Sequence, residues 1–178
     1  GELGLAAVSV EFRRATVDDV RTLTETRQKV WATTYRGIYP DEMIDQYDFD
    51  CHAARDALRI TDAHNDVFLA WDGGRCVGYF YYGPCGYGSY RDFELCLNSL
   101  YFLPEYRRMG LGRRVFAQLK AACRARNIRK FFCGCNLHNA PAQAFYRKMG
   151  GVVGEIRGGH ANKAEDILYF EFYLGEIT

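Results

Sequence analysis

The sequence of 178 residues predicts an α/β fold in which helices flank a six- to seven-stranded mixed, mostly antiparallel sheet. Two observations lead to this prediction. The turn Asp72-Gly73-Gly74 joins two runs rich in β-branched and aromatic residues, which is typical of a hairpin. After the hairpin, strands alternate with helices, and strand–helix–strand units add parallel strands to a sheet. The main elements follow in the order β-α-α-β-β-β-α-β-α-β-β.

The first part of the chain holds one strand and the early helices. Val8 to Arg14 alternates polar and apolar residues, which predicts the first strand. Thr16 is a typical helix N-cap, and apolar residues at helical spacing predict a helix from Val17 to about Tyr35. Asp41 is expected to cap a second helix to about Gln46, and a further short helix lies within residues 49–64.

The second part of the chain carries the strand–helix–strand units. A long strand runs from Asp92 to Leu103, a helix from Gly110 to Arg126 and a strand over residues 130–136. Asn139 caps the next helix, which ends before Gly150, and the last two runs, GGVVGEIR and EDILYFEFYL, are strands. The helix after Gly110 turns one set of apolar positions inward: Leu111, Val115, Leu119 and Ala122.

Length and composition predict one domain over residues 1–178, with a net charge of +1. Residues 1–7 lack a Met and a basic n-region, so we expect a cloning remnant or a disordered end there. No apolar run approaches the roughly 18 residues that a membrane helix needs, and a near-neutral chain is a poor general binder of nucleic acid. We therefore expect neither a membrane nor a nucleic acid as a partner.

The seven cysteines are an odd number, and most lie inside apolar runs. This usage predicts reduced, buried thiols in a cytoplasmic protein rather than a disulfide framework. Cys133 and Cys135 stand one residue apart, but no second pair follows at the spacing of a zinc site. We expect no metal.

Charge is unevenly distributed along the chain. Eleven Arg and Lys but no Asp or Glu lie between Tyr106 and Gly154, whereas acids outnumber bases by eleven to six from Val17 to Asp66. The basic part suits an anionic ligand and the acidic part a cationic acceptor, although solvated helix faces explain any single charge equally well.

The segment LYFLPEYRRMGLGRR, residues 100–114, leaves a strand at Pro104 and enters a helix through Gly110 and Gly112. The free N–H groups of a first helical turn and the helix dipole favour an anion, and glycines let the backbone approach it. Four arginines add charge and paired donors: Arg107, Arg108, Arg113 and Arg114. The spacing is neither G-x-x-x-x-G-K-[ST] nor G-x-G-x-x-G. By itself this segment indicates either a binding site for a phosphorylated ligand or a basic turn.

Two motifs together resemble the GNAT superfamily of N-acyltransferases. Arg107 to Gly112 matches the acyl-CoA-binding pattern [QR]-x-x-G-x-[GA], and the preceding Leu100 to Pro104 is similar to the L-Y-V-x-P strand end of that family. The second motif, N-x-x-A-x-x-F-Y-x-x-x-G, reads from Asn139 to Gly150. The resemblance implies the family's fold and acetyl-CoA as the acyl donor.

The resemblance also implies a role for each matched residue. Backbone groups of Leu100 to Phe102 would pair with the pantetheine arm, N–H groups from Arg108 to Arg113 would hold the pyrophosphate, and Asn139 would bond the pantetheine. Tyr146 would protonate the leaving thiolate, with a packed aromatic residue as the alternative. The Phe102 N–H is the candidate oxyanion donor. The implied donor-binding residues are Leu100, Tyr101, Phe102, Arg107, Arg108, Met109, Gly110, Leu111, Gly112, Arg113, Asn139 and Tyr146.

The general base is where the sequence departs from the family pattern. Many members carry a Glu at the position of Cys96, and a buried structural thiol is the preferred interpretation of this cysteine. Glu94 lies two residues earlier on the expected strand and on the same side. It is either a base that acts through water or a solvated carboxylate at a strand end. Asn98, next on that side, is a candidate to orient the acceptor.

Aromatic residues of the early helix and loop are candidates for the acceptor-binding walls. Trp31, Tyr35 and Tyr39 are either these walls or part of the core. His138 is either a surface loop residue or a proton relay near the donor. His160 is either a surface loop residue or a contact for the acceptor.

The sequence therefore predicts an acetyl-CoA-dependent N-acetyltransferase that acts on a primary amine, with a small cationic molecule favoured by the acidic early part. The alternatives are a peptide or protein N-terminal acetyltransferase and a catalytically inactive acyl-CoA sensor, which the missing Glu at Cys96 would favour. The sequence neither predicts nor excludes a homodimer.

Overall fold

A seven-stranded sheet forms the centre of the computed structural model, which describes residues 9–85 and 88–175. Its strands are β1 (Val10–Arg14), β2 (Asp66–Asp72), β3 (Arg75–Gly83), β4 (Cys96–Phe102), β5 (Lys130–Asn136), β6 (Val152–Arg157) and β7 (Ile167–Tyr173). They lie in the order β1-β2-β3-β4-β5-β7-β6. Neighbouring strands are antiparallel except β4 and β5, which are parallel. The predicted mixed, mostly antiparallel sheet is confirmed.

Five α-helices accompany the sheet in the described part of the chain: α1 (Val20–Thr34), α2 (Asp41–Asp45), α3 (Phe49–Thr61), α4 (Leu111–Ala125) and α5 (Ala140–Lys148). The helix predicted to begin at Val17 begins at Val20, because residues Val17–Asp19 form a 3-10 turn. The Thr16 N–H donates to Asp19 Oδ2 at 2.8 Å, which secures this turn. The N-cap of α2 is Pro40 rather than Asp41.

The helices cover the sheet on its two faces. On one face the Arg27 guanidinium of α1 lies 5.1 Å from the centre of the Tyr79 ring. On the other face the Phe116 ring of α4 contacts Phe131, and Tyr146 of α5 contacts Phe170. We call these the α1 face and the α4 face. The predicted inward positions of α4 pack as expected, with Leu111, Val115 and Leu119 buried and Ala122 partly so.

The strand predicted from Asp92 to Leu103 is shorter in the structure. β4 begins at Cys96, because a 3-10 turn over Gly88–Tyr90 and the bond from Phe93 N–H to the Tyr90 carbonyl, 3.0 Å, keep the preceding residues out of the sheet. Val8 and the expected remnant over residues 1–7 lie outside the described residues. Within the described ranges, the helices are too short or too polar to cross a membrane.

A buried ionic cluster joins α1 to α3. The Asp56 carboxylate is fully buried and accepts from the guanidinium of Arg27, which is itself 5% exposed. It also accepts from Thr24 Oγ1 at 2.8 Å and from Arg59 Nη1 at 2.9 Å. The cluster fixes the helix that carries Trp31 and Tyr35 toward the sheet.

We predict that Asp56→Ala lowers the free energy of unfolding by about 3–5 kcal/mol, because the variant leaves a buried guanidinium without its carboxylate. Urea unfolding at neutral pH measures this difference. Asp50→Ala, at an exposed position in the first turn of the same helix, is the control and should cost less than about 1 kcal/mol. Equal losses in the two variants would contradict the role of the cluster.

Candidate active site

The strands β4 and β5 separate soon after they meet. Their ladder consists of two residue pairs, Cys96 with Phe132 and Leu97 with Cys133. β4 then continues to Phe102 paired with β3 alone. The sheet therefore has a gap between two central strands, which opens toward their C-terminal ends.

Backbone N–H groups of β4 point into this gap at alternate residues. The Leu103 N–H donates to the Val77 carbonyl at 2.9 Å, so the residues in phase with Leu103 face β3. By the same alternation, the N–H groups of Leu100 and Phe102 face away from β3. An extended chain in the gap can bond to these groups as an added strand.

A β-bulge at Asn98 changes which side chains of β4 share a face. Leu97 pairs with Tyr82 and Ser99 pairs with Tyr81, so Asn98 is the extra residue of this ladder. Paired residues share a face, and Tyr101 pairs with Tyr79 of the α1 face. Strict alternation would place the side chains of Tyr101 and Cys96 on opposite faces of the sheet, whereas the bulge brings both to the α1 face.

The loop between β4 and α4 adopts unusual backbone conformations. Arg108 has a φ of +61° and Gly110 a φ of +81°, and Gly110 is the N-cap of α4. The first N–H groups of the helix have no acceptor within it and carry its positive dipole end. Arg108 and Arg113 are exposed beside them. The arrangement suits an anion at the end of the gap.

Two of the four arginines predicted near the anion make contacts within the protein. The Arg107 Nε donates to the Phe102 carbonyl at 3.2 Å, and its Nη2 donates to Thr34 Oγ1 at 2.9 Å. Arg114 Nη2 donates to the Val10 carbonyl at 2.9 Å, and its guanidinium lies over the Phe12 ring. Arg107 thus holds the loop against the strand end and α1.

Gly112 is required for a different reason from Gly110. A Cβ at Gly112 would lie 2.6 Å from Phe145 Cζ, whereas a Cβ at Gly110 would meet no atom within 4 Å. The Phe145 ring of α5 therefore packs directly on the α4 backbone. Since α5 begins at Asn139, whose Oδ1 accepts from the Ala142 N–H at 3.2 Å, this contact sets the spacing between the two helix starts.

A cavity of about 220 Å³ lies on the α1 face beside the gap. Its walls come from β4, β5, β7 and the segments after α1 and β3: Tyr35, Tyr39, Cys85, Cys96, Leu97, Asn98, Tyr101, Phe132, Gly134, Cys135, Asn136, Ala164, Ile167 and Tyr169. Tyr35 and Asn98, both predicted to contact the acceptor, line it. Trp31 does not, and its ring lies behind Tyr39 with 5.3 Å between ring centres.

Phenol groups dominate one end of the cavity. The hydroxyl oxygens of Tyr35 and Tyr101 lie 2.5 Å apart, and the rings of Tyr35 and Tyr39 stack with centres 4.0 Å apart. Burial raises the pKa of Tyr35 and of Tyr101, so both stay protonated near neutral pH.

Tyr146 approaches the gap from the α4 face. Its side chain is buried among Phe116, Phe170 and Phe172. Burial raises the pKa of Tyr146 well above its usual value, and the neighbouring ionisable groups Cys133, Tyr101, Cys135 and Cys96 raise it further. The phenol is therefore neutral at the level where β4 and β5 separate, and a neutral phenol can donate a proton.

The structure separates Glu94 from the other predicted site residues. Glu94 precedes β4, is exposed and lines a different cavity, of about 350 Å³, with Lys130 and Tyr173. The expectation that Glu94 and Cys96 lie on one side of a strand is wrong, because the strand starts only at Cys96. Cys96 is instead hydrogen-bonded to Cys85, two residues past the end of β3.

The predicted histidines meet at one carboxylate. Asp166 Oδ2 lies 2.7 Å from His138 Nε2, and Asp166 Oδ1 lies 2.6 Å from His160 Nδ1. Hydrogen bonds from His138 and His160 lower the pKa of Asp166 to about 2. This cluster ties the segment before β7, which supplies Ala164 to the cavity wall, to the end of β5. The described residues contain no group of three or more side chains arranged to hold a metal.

A central gap with inward N–H groups and a helix N-terminus at its end suits a ligand with an extended arm and an anionic group. Sequence comparison identifies the family: a family model described as the acetyltransferase (GNAT) family matches residues 24–151. The chain belongs to this family of N-acetyltransferases.

Relatives agree with this assignment along most of the chain. The curated spermidine N(1)-acetyltransferase of Thermoplasma acidophilum is 21% identical over 157 residues, 85% of this chain and 93% of that protein. The crystal structure of PaiA N-acetyltransferase from the same organism, in complex with coenzyme A, has a TM-score of 0.73 at 19% identity and covers 92% of this chain and 98% of its own. Ribosomal-protein-alanine N-acetyltransferase from Brucella melitensis has a TM-score of 0.67 at 24% identity and covers 92% and 99%. The structures share the fold.

We predict that Gly112→Ala lowers the free energy of unfolding by about 1–3 kcal/mol, because its methyl group overlaps the Phe145 ring. Phe145→Leu introduced into that variant should restore part of the loss by removing the overlap. Chemical denaturation measures both. The control is Gly74→Ala in the β2–β3 turn, where an added Cβ meets no atom within 4 Å. A loss at Gly74 as large as that at Gly112 would contradict the packing argument.

Proposed function

We propose that this protein transfers the acetyl group of acetyl-CoA to a primary amine carried by a small cationic molecule. The observation that carries the proposal is the gap between β4 and β5, which presents N–H groups of Leu100 and Phe102 and ends at the N-terminus of α4. The family assignment and the coenzyme A bound in a structure of the same fold support it.

The donor would lie along the gap. Its pantetheine amides would bond to the free backbone groups of β4, and its pyrophosphate would accept from the N–H groups between Arg108 and Arg113. The exposed side chains of Arg108 and Arg113 add positive charge there. Arg107 acts indirectly by holding this loop. Asn139, which caps α5 through its oxygen, would use its amide nitrogen toward the pantetheine.

The reaction needs an oxyanion donor, an acid and a neutral amine. The Phe102 N–H, pointing into the gap, would donate to the carbonyl oxygen as its negative charge develops. Tyr146 would give its proton to the leaving thiolate, for which a buried neutral phenol is suited. An alkyl ammonium has a pKa near 10, so only about 0.1% of it is neutral at pH 7 and a proton acceptor must assist.

The cavity on the α1 face suits a small cationic acceptor. Its volume of about 220 Å³ matches a small molecule better than a folded protein segment, and the stacked rings of Tyr35 and Tyr39 offer faces that attract a cation. A relative that is named as a spermidine acetyltransferase supports this class of acceptor. All seven cysteines are free, which fits a reducing cytoplasm.

We predict that acetyl-CoA binds with micromolar affinity in calorimetry and that Gly110→Val weakens binding at least about tenfold, because a β-branched residue resists the φ of +81° that shapes the loop. Gly74→Val is the matched control. An amine panel with mass detection then compares spermidine, an aminosugar and an Ala-initiated peptide. Absence of donor binding would overturn the proposal, acetylation of the peptide alone would shift it to N-terminal acetylation, and binding without turnover of any amine would indicate a sensor.

Tyr146→Phe should lower kcat by about 10²–10⁴-fold, since the acid is lost while the ring packing is kept. Its acetyl-CoA affinity should stay within about twofold of the unaltered protein. Tyr173→Phe, at an exposed ring of β7, serves as the control. A Tyr146→Phe enzyme with full kcat would contradict the acid role.

A further inference from the structure

The cavity on the α1 face, in which the acceptor would bind, lacks the side chains that usually accept a proton. Its lining, within the described residues, contains no Asp, Glu, His, Lys or Arg. Burial raises the pKa values of Tyr35, Tyr39 and Tyr101, and it raises that of Cys135 to about 11. These four groups are therefore proton donors at neutral pH and cannot remove a proton from an ammonium.

The thiols of Cys85 and Cys96 form a pair in the same cavity wall. Cys85 lies two residues past the end of β3, and Cys96 opens β4 opposite Gly83. Cys96 is buried, while Cys85 is partly buried and lines the cavity. A hydrogen bond between the two thiols lowers the pKa of Cys85 to about 7, while the same contact and burial raise that of Cys96. A thiolate that accepts such a bond is stabilised against protonation.

No charged side chain lines the cavity within the described residues. The charges nearest to its Tyr90 and Tyr169 side are Glu171, which accepts from the Tyr90 hydroxyl at 3.0 Å, and Arg157, whose guanidinium lies 5.3 Å from the centre of the Tyr169 ring. The ionisable groups that face it or share its cavity come from four elements and the segments beside them: Cys96 and Tyr101 on β4, Cys133 and Cys135 on β5, Tyr169 on β7, Tyr35 and Tyr39 at the end of α1, and Tyr90 before β4. The bond with Cys96 is the main cause of the lowered pKa of Cys85, and burial opposes it.

We propose that the Cys85 thiolate is the general base that takes a proton from the ammonium group of the acceptor, with Cys96 as the residue that positions and stabilises it. This proposal rests on the proposed acetyl transfer. Cys85 would act from the α1 face and Tyr146 from the α4 face, on opposite sides of the gap in which the thioester would lie.

The proton balance of the step is as follows. The thiolate takes one proton from the ammonium, the amine lone pair forms the C–N bond, and the C–S bond breaks with its electron pair on the sulfur of CoA. Tyr146 protonates that sulfur. A second proton from nitrogen returns to Tyr146 through solvent, and Cys85 releases its proton to solvent. The amide, free CoA and one proton result, with Cys85 and Tyr146 restored.

Thiol alkylation tests the thiolate without any acceptor. Iodoacetamide is reacted with the unaltered protein over a range of pH, and the rate at Cys85 is followed by peptide mass spectrometry. We expect a midpoint near pH 7. In Cys96→Ala it should move up by about one unit or more, toward the ordinary thiol value of about 8.5. A midpoint near the ordinary value in the unaltered protein would overturn the proposal.

Turnover with the best amine of the panel tests the role of the thiolate. The rate of the unaltered enzyme should rise with pH through about 7, because the thiolate forms there. Cys85→Ala should lose this rise and at least about 100-fold in kcat at neutral pH, with acetyl-CoA affinity unchanged in calorimetry. Cys85→Asp should recover part of the rate, since a carboxylate can accept the proton. Cys51→Ala, on α3 away from the cavity, is the matched control and should behave like the unaltered enzyme.

The remaining outcomes separate this proposal from the proposed function. If an amine is acetylated and Cys85→Ala keeps kcat and the pH profile, the base assignment fails while acetyl transfer stands. Acetylation of Cys85 itself by acetyl-CoA, followed by transfer to the amine, would make Cys85 a nucleophile and also overturn the proposal. If the unaltered protein binds no acetyl-CoA and acetylates no amine, both proposals fail.

Discussion

The early separation of β5 from β4 is the constraint on which the rest of the site depends. A central strand normally satisfies its N–H groups on both edges, but β4 keeps a second partner for only two residue pairs. The N–H groups beyond them need another acceptor, and the gap supplies the space for one. The loop after β4, the N-terminus of α4 and the buried Tyr146 all lie around this opening. If the ladder between β4 and β5 were continuous, the same residues would surround no unpaired N–H groups of β4.

Local signals predicted the elements well. The two-residue turn at Gly73 and Gly74, the inward positions of α4 and the Asn139 cap depend on neighbours within a few residues, and each appears in the structure as expected. The resemblance of the two motifs to GNAT enzymes also predicted the family and its fold. These features follow from turn chemistry, helical periodicity and capping, which a sequence displays directly.

The features that local patterns do not predict depend on contacts between distant parts of the chain. Arg107 reaches Thr34, which lies 73 residues earlier in the chain, so no spacing rule indicates that it holds the loop against α1. The Asn98 bulge reverses the face of Tyr101 relative to strict alternation. The same alternation predicts Glu94 on the side of Cys96, and the turn over Gly88–Tyr90 removes Glu94 from the strand. The Cys85–Cys96 pair could be noticed in sequence only as two cysteines that flank the link between adjacent strands.

The division of the site between two faces of the sheet has a consequence for the order of events in catalysis. If the donor lies in the gap and the acceptor enters from the α1 face, as proposed, the two would approach the reacting carbon by separate routes, and neither would have to leave before the other binds. Such a geometry favours a ternary complex and direct transfer over a double-displacement cycle. Initial rates measured against both substrates would then give intersecting rather than parallel double-reciprocal lines.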